Sequence, residues 1–325
     1  MATNNIIYLK AVPIVRRLEY LEVFLKGVKN RLDRKELVLA LGERKIAFEI
    51  EKDLALGRGN PHRKDITQAN YLLKYCIRLS RDLGFVNKVG LRFRLTEKGK
   101  EYLESDDYSR KYTFAEAFSE VYPHLTTVIS SLNHLEGAEA ILPLYNRPEF
   151  EPESVKYGFS TGQMYFDTVR DIGTSLGLLN WYAKGAGPER RQHLYLSCSI
   201  MTQDPASFLV KIRNGDKWLF AVPFEIDRVH FREALWNVYL SLVDGVPGSP
   251  IFYSSVREQV CATLKLRDDQ FDSEVMKMVD DDAILQVIWS EGVLQYQKDS
   301  ASMLKSLPPK NEWGRYVIYL KIVRR

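Results

Sequence analysis

The feature that most restricts this chain is a change of hydrophobic period at Gly84. From 66 to 83, Ile66, Ala69, Leu73, Cys76, Ile77 and Leu83 share one face at about 100° per residue. Asp65 stands before them as an N-cap, and Gly84 follows as a stop. Beyond the glycine the apolar residues alternate. Phe85-Val86-Asn87-Lys88 reads as a strand, Val89-Gly90 as a tight turn, and Leu91-Arg92-Phe93-Arg94-Leu95 as a second strand of apolar and basic residues. A helix that stops on a glycine and runs at once into a hairpin excludes an all-helical bundle for this segment.

The residues before it supply two more helices. An apolar helical pattern runs over 18–28, after Pro13. Asp33 offers an N-cap for a helix through Ala40, with Gly42 as its end. The stretch 43–56 is ambiguous between helix and strand, and Gly57-Arg58-Gly59-Asn60-Pro61 is a turn by composition. After the hairpin, Thr96 caps a short helix over 97–103. The order is helix, helix, longer helix, hairpin, and the hairpin ends in Leu95-Thr96-Glu97-Lys98-Gly99. This first third of the chain resembles the winged helix-turn-helix superfamily. The resemblance implies a last helix presented to the major groove and a wing laid on backbone or minor groove.

The arrangement recurs. Asp106-Asp107 marks a boundary, and an amphipathic helical stretch over 114–132 is kinked or broken at Pro123. A connector at 148–154 leads to a helix over 161–177. Leu176-Gly177-Leu178-Leu179-Asn180 then aligns with Leu83-Gly84-Phe85-Val86-Asn87, and a loop over 185–191 and a strand over 193–200 complete a second hairpin. Residues 208–224 form a further hairpin, with Asn214-Gly215-Asp216 as a type I′ turn signal. Helices over 231–243, 254–264 and 269–279 and strands over 284–289 and 316–323 make a third unit, with a long insertion where a wing would sit. The expected fold is mainly α with small β-hairpins (α+β), a tandem array of three winged-helix-like domains at 1–106, 107–202 and 203–325. Three such repeats account for 325 residues without a long structureless loop.

Charge separates the repeats. The net charge of +4 conceals +11 over residues 1–100 and −7 over the remainder. A basic part suits a polyanion, and an acidic part suits protein. In the first unit the basic residues converge on one loop, one helix face and one wing. The loop holds Arg58, His62, Arg63 and Lys64, near a helix N-terminus whose dipole favours phosphate. The helix face holds Thr67, Tyr71, Lys74 and Arg78, with Asn70 and Arg81 beside it. The wing holds Lys88, Arg92 and Arg94, the two arginines on one strand face. Arg and Lys donate to phosphate or guanine, and Asn pairs with adenine.

The later units suit DNA less. In the second, Gln163, Asp167, Arg170, Asp171 and Thr174 form the outer helix face, and two carboxylates would repel a duplex. Its wing residues Lys184, Arg190 and Arg191 are possible secondary contacts. Trp181, Tyr182 and Tyr195 could stack on bases or pack in a core. In the third unit, Asp268, Asp269, Asp272, Glu274 and Asp280-Asp281-Asp282 surround the last helix.

Catalytic signatures are sparse. No P-loop pattern occurs, and Gly185-x-Gly187 lacks the rest of a dinucleotide fingerprint. Cys76, Cys198 and Cys261 are too scattered for a local zinc site. Gly158-Phe159-Ser160-Thr161-Gly162 fits a nucleophile elbow without the preceding strand that the elbow needs. Glu43-Arg44-Lys45 beside a possible strand at 46–50 could bind a metal in a nuclease. No catalytic residue, metal or cofactor is therefore expected. No apolar run of about 18 residues occurs, and the first residues lack a signal-peptide pattern, so a cytoplasmic chain with no membrane contact is expected. Three functions remain. The first is a non-enzymatic double-stranded DNA-binding protein, either a regulator or the recognition subunit of a mobile-element or defence complex. Its acidic C-terminal two-thirds would dock a protein partner or a second copy. The second is a protein-docking module, and the third is a metal-dependent nuclease.

Overall fold

Capping chemistry sets where the first helices begin and end. The computed structural model describes residues 13, 15–55, 67–90, 92–133, 141–143, 163–184, 191–281, 285–289, 308–312 and 315–323. Helix α1 (Leu18–Lys29) gives way to α2 (Arg34–Ala55). The Asp33 carboxylate accepts from the Lys35 and Glu36 amides at 2.7 and 2.9 Å, while the Glu36 carboxylate accepts from the Asp33 amide at 2.6 Å. This reciprocal capping box satisfies amides that the first helical turn leaves without partners. Gly42 does not end α2 as its sequence suggests. It is buried, and a Cβ built on it would lie 3.6 Å from the Ala69 Cβ, so the glycine serves helix packing instead. The ambiguous segment from 43 to 55 is accordingly helical.

Helix α3 (Thr67–Asp82) ends as predicted on Gly84, at φ +74°. The Phe85 amide donates to the Ser80 carbonyl at 2.8 Å, and the Gly84 amide to Arg81 at 3.1 Å. These bonds close the last turn around a left-handed residue, a conformation that costs glycine least. Strands β1 (Val86–Val89) and β2 (Arg92–Leu95) pair antiparallel, from Val86 opposite Leu95 to Val89 opposite Arg92. Helix α4 (Glu97–Glu104) follows.

Helix α5 (Asp107–Val121) is capped by Asp106, whose carboxylate accepts from the Ser109 amide at 2.8 Å. Pro123 breaks the predicted long helix, and α6 (His124–Asn133) begins after it. Strand β3 (Ile141–Pro143) and helix α7 (Gln163–Ser175) come next. Gly177 repeats the Gly84 geometry, with φ +74° and the Leu178 amide donating to the Gly173 carbonyl at 2.9 Å. Strands β4 (Leu179–Lys184), β5 (Arg191–Leu196), β6 (Cys198–Met201), β7 (Val210–Asn214) and β8 (Lys217–Pro223) follow. The chain closes with α8 (Arg228–Leu242), β9 (Ile251–Phe252), α9 (Tyr253–Leu264), α10 (Asp268–Asp281), β10 (Leu285–Trp289) and β11 (Val317–Ile322). The fold is α+β, with helices beside small sheets of two or three strands.

Chain contacts divide the molecule into two compact units. The first draws on 1–47, 63–179 and 198–223, the second on 48–62, 180–197 and 224–325. In the first unit, Leu21, Phe24 and Leu25 of α1 are buried with Leu73, Cys76 and Leu79 of α3, and Phe85 stacks on Tyr102 at 4.8 Å. Each such side chain removed from water contributes roughly 1.5–3 kcal/mol. A sheet of order β6-β8-β7 belongs to the same unit. It is held to α5 by Lys211, 3.1 Å from Glu116, and by the Arg213 amide, which donates to Ser119 Oγ at 2.7 Å. The hairpin turn differs from the type I′ expectation. Gly215 has φ +59° and Asp216 is not left-handed, the φ pattern of a type II′ turn.

The second unit is built on Phe231, Leu235, Tyr239, Tyr253, Val256 and Phe271, all buried. Its C-terminal segment runs α8, β9, α9, α10, β10, β11, and β5 with most of β4 belongs to the same unit. Strand β11 pairs antiparallel with both β10 and the distant β9, giving the order β10-β11-β9. Among the described residues, no helix is long and apolar enough to cross a membrane.

Candidate nucleic-acid interface

The inward face of α3 is settled by packing. Ala69, Leu73, Cys76 and Leu79 are buried, and burial pushes the Cys76 thiol well above its ordinary range, so it stays protonated. Helical geometry then turns the opposite face outward. Tyr71 is 58% exposed, Lys74, Arg78 and Arg81 are exposed, and Asn70 is half-buried. The Lys74 ammonium lies 5.3 Å from the centre of the Tyr71 ring, a cation–π contact that keeps the two side chains together.

The β1–β2 hairpin continues this basic surface. In the β1–β2 register, Asn87 stands opposite Arg94, and Val89 opposite Arg92. Directly opposed residues share a face, so Arg92 and Arg94 lie together with Asn87 and Val89. Lys88 falls on the other face, opposite Phe93. The Phe93 ring meets Phe24 edge-on at 6.3 Å, which anchors the hairpin to α1. Lys88, Arg92 and Arg94 are all exposed. Below them, Thr96 Oγ1 accepts from the Gly99 amide at 3.0 Å and donates to the Gly84 carbonyl at 2.6 Å. One hydroxyl thus caps α4 and ties it to the end of α3.

Two residues that the sequence pattern does not single out complete this surface. Asp82 Oδ2 lies 3.7 Å from Arg78 Nε and accepts a hydrogen bond from the Tyr122 hydroxyl. Tyr122 is fully buried. Burial first, and the bond to Asp82 second, raise its hydroxyl well above the usual tyrosine range, so it remains a donor. The i,i+4 spacing of Arg78 and Asp82 is readable in the sequence, whereas the bond from Tyr122, 40 residues away, is not.

Other candidate positions fall outside this constellation. Arg58, His62, Arg63, Lys64, Arg190 and Ser160 lie outside the described residues. Thr67 opens α3, Lys184 ends β4 and Arg191 opens β5.

Helix α7 differs from its expected outer face. Asp167, Arg170 and Asp171 do not point to solvent. Arg170 is buried, 3.2 Å from Asp167 and 2.7 Å from Asp171, and Arg16 reaches Asp167 at 3.3 Å. Burial raises the Asp171 carboxyl, and Arg170 opposes that rise. The face is closed by an ionic cluster rather than presented to a groove. Trp181 and Tyr195 are likewise buried, and Tyr182 stacks on His193 at 5.0 Å. Helix α10 turns two of its acids inward. Arg257, fully buried, lies 3.0 Å from Asp272 and 4.0 Å from Asp268, and Tyr253 donates to Asp272 at 2.8 Å. Burial outweighs the arginine and holds the Asp272 carboxyl at about 6.

The metal signatures lose their context. Glu43-Arg44-Lys45 lies on α2, and the strand a nuclease centre needs beside it is helix instead. Among the described residues no group of three or more His, Cys, Asp or Glu could hold a metal ion, and the three cysteines are buried and free.

No protein-family model matches the chain, and no curated protein matches it. A solved structure of the restriction endonuclease FokI matches with a TM-score of 0.33 and 12% identity, over 89% of this chain and 64% of that one. The chain thus spans less than two-thirds of the structure it matches. At that TM-score a common fold does not follow. The matched protein is nonetheless an enzyme, and this corrects the expectation of a non-enzymatic regulator or recognition subunit. Neither that function nor the absence of enzymatic activity is carried further.

Proposed function

We propose that the first unit binds double-stranded DNA, with α3 in the major groove and the β1–β2 wing on backbone or minor groove. One observation carries this: Tyr71, Lys74, Arg78, Arg81, Lys88, Arg92 and Arg94 are exposed on adjoining elements whose inner faces are buried on α3 and half-buried on β2. Asp82 is the one carboxylate beside them on α3, and Arg78 and Tyr122 engage it. Asn70 and Tyr71 face base edges in this arrangement, and the wing cations meet phosphate. Arg58, His62, Arg63, Lys64 and Thr67 extend the surface toward the helix N-terminus. Lys184, Arg190 and Arg191 are proposed secondary contacts.

The scaffold is proposed to be an array of winged-helix units, with sequence repeats at 1–106, 107–202 and 203–325. The second compact unit supports this. Within it, the segment from α8 to β11 runs helix, strand, two helices and two strands, with the short β9 paired to β11, an order that suits a winged helix. So do the matching glycine-stopped helices at Gly84 and Gly177.

The test is binding of the full chain to a labelled duplex across a salt series. Affinity should fall linearly on logarithmic axes, and Lys88→Ala with Arg92→Ala should flatten the slope by about 0.9 per lost phosphate contact. A full chain that fails to bind duplex even at low salt refutes the proposal. The same incubation with Mg²⁺ scores cleavage of the duplex, the activity that the name of the matched endonuclease denotes.

A further inference from the structure

Arg78 differs from the other cations of the surface in having a built support. Lys74 rests on an exposed tyrosine ring, whereas Arg78 meets Asp82 one turn along α3, and Asp82 is held by a hydroxyl from outside the helix. That hydroxyl belongs to Tyr122, a fully buried ring tilted against Phe118 at 5.1 Å, and Phe118 in turn stacks on Phe114 at 5.4 Å. Asp82 is therefore supported from the packed core. Asp82 is only 13% exposed, while Arg78 is 44% exposed. The carboxylate stays at the protein surface and the guanidinium projects beyond it.

Such a support suits one kind of target. A carboxylate directly behind a cation weakens its attraction for phosphate, because the phosphate meets a second negative charge. A base edge carries no full charge, so that penalty is absent. The ion pair at 3.7 Å, longer than a hydrogen bond, draws the guanidinium toward Asp82 and narrows the directions in which its remaining N–H groups project. Guanine offers two acceptors, N7 and O6, spaced for a planar fork. A long side chain oriented in advance also loses less rotamer freedom on binding.

We infer that Arg78 reads a guanine in the major groove, with Asp82 and Tyr122 as positioning residues that bias its guanidinium through an ion pair. This rests on the DNA-binding proposal above and adds a base identity to it. Arg78 is the specificity determinant, and the wing cations supply affinity that is indifferent to sequence.

The experiment selects preferred duplexes from a randomised pool with the full-length chain, then measures affinity for each base at each selected position. One guanine should stand out, and its replacement should weaken wild-type binding by about tenfold to a hundredfold. Arg78→Lys, which keeps the charge but loses the fork, should erase that preference while leaving the salt slope unchanged. Asp82→Asn and Tyr122→Phe should each reduce the preference in part, again at constant slope. Thermal unfolding of the variants reports whether the fold is retained, and Arg78→Lys, at an exposed position, is the variant that decides if Tyr122→Phe unfolds. Guanine preference that survives Arg78→Lys overturns the inference, as does an Arg78→Ala variant that loses affinity equally for all sequences with a shallower slope. Either result leaves DNA binding intact. Absence of any duplex binding by the wild type overturns both proposals.

Discussion

Gly99 packs so closely on Phe85 that a Cβ at position 99 would lie 2.1 Å from the Phe85 carbonyl oxygen. The contact is with backbone, which cannot swing aside. Gly99→Ala should therefore push α4 away from the base of the wing and destabilise the first unit by about 2 kcal/mol or more, the scale of overpacking costs. Thermal unfolding checks this. Gly84→Ala at φ +74° should also destabilise, through backbone strain alone, since nothing lies within 4 Å of its would-be Cβ.

The same residues show why the first hairpin is readable in the sequence. Every determinant of Leu83 to Gly99 is local: the Gly84 stop, the alternation in 85–95, and the Thr96 cap three residues before Gly99. Where the deciding partner is distant, sequence alone misleads. Asp167 and Asp171 have the spacing of a solvated helix face, but tertiary packing buries Arg170 between them, and Arg16, about 150 residues earlier, joins the cluster. Gly42 has the composition of a helix stop, yet Ala69 on another helix uses it as a packing site. The candidate interface divides the same way. The positions of Tyr71, Lys74, Arg92 and Arg94 follow from periodicity, while the support of Arg78 by Tyr122 depends on the tertiary fold.

Arg257 and Asp272 offer a test of the second unit. Replacing Arg257 with Ala leaves Asp268 and Asp272 partly buried without the cation that faces them. The cost should be about 3–5 kcal/mol, because the lost attraction no longer offsets their desolvation. Arg257→Ala with Asp272→Asn should recover part of that loss. Chemical denaturation of the wild type, both single variants and the double variant measures the coupling. Equal stability of wild type and Arg257→Ala refutes it.

His124 should make the first unit acid-sensitive. Burial lowers its folded-state pKa from 6.5 to about 4. The unfolded chain then takes up the proton first as pH falls. The stabilising contribution is fully present above pH 6.5 and is lost as pH drops toward 4. Its full size is about 3 kcal/mol, from 1.36 kcal/mol per pKa unit. Carboxylates titrate over part of the same window, so the quantity to measure is the difference between wild type and His124→Gln. That difference should vary with pH between 6.5 and 4, and a constant difference removes His124 as its source.

Tyr71 and Arg92 should separate two kinds of DNA contact. Both are exposed, and both lie on the proposed surface. Only Arg92 carries a charge that could release counterions from a duplex. Arg92→Ala should therefore weaken binding at low salt and reduce the salt slope by about 0.9. Tyr71→Ala removes an aromatic face and the seat of Lys74, without removing charge. Its loss of affinity should be nearly the same at every salt concentration, about 1 kcal/mol on the scale of an exposed cation–π and stacking contact. If both variants shift the slope equally, Tyr71 acts only through Lys74, and a Lys74→Ala variant should then reproduce it. If neither shifts it, the wing does not touch phosphate, and α3 alone would have to account for binding.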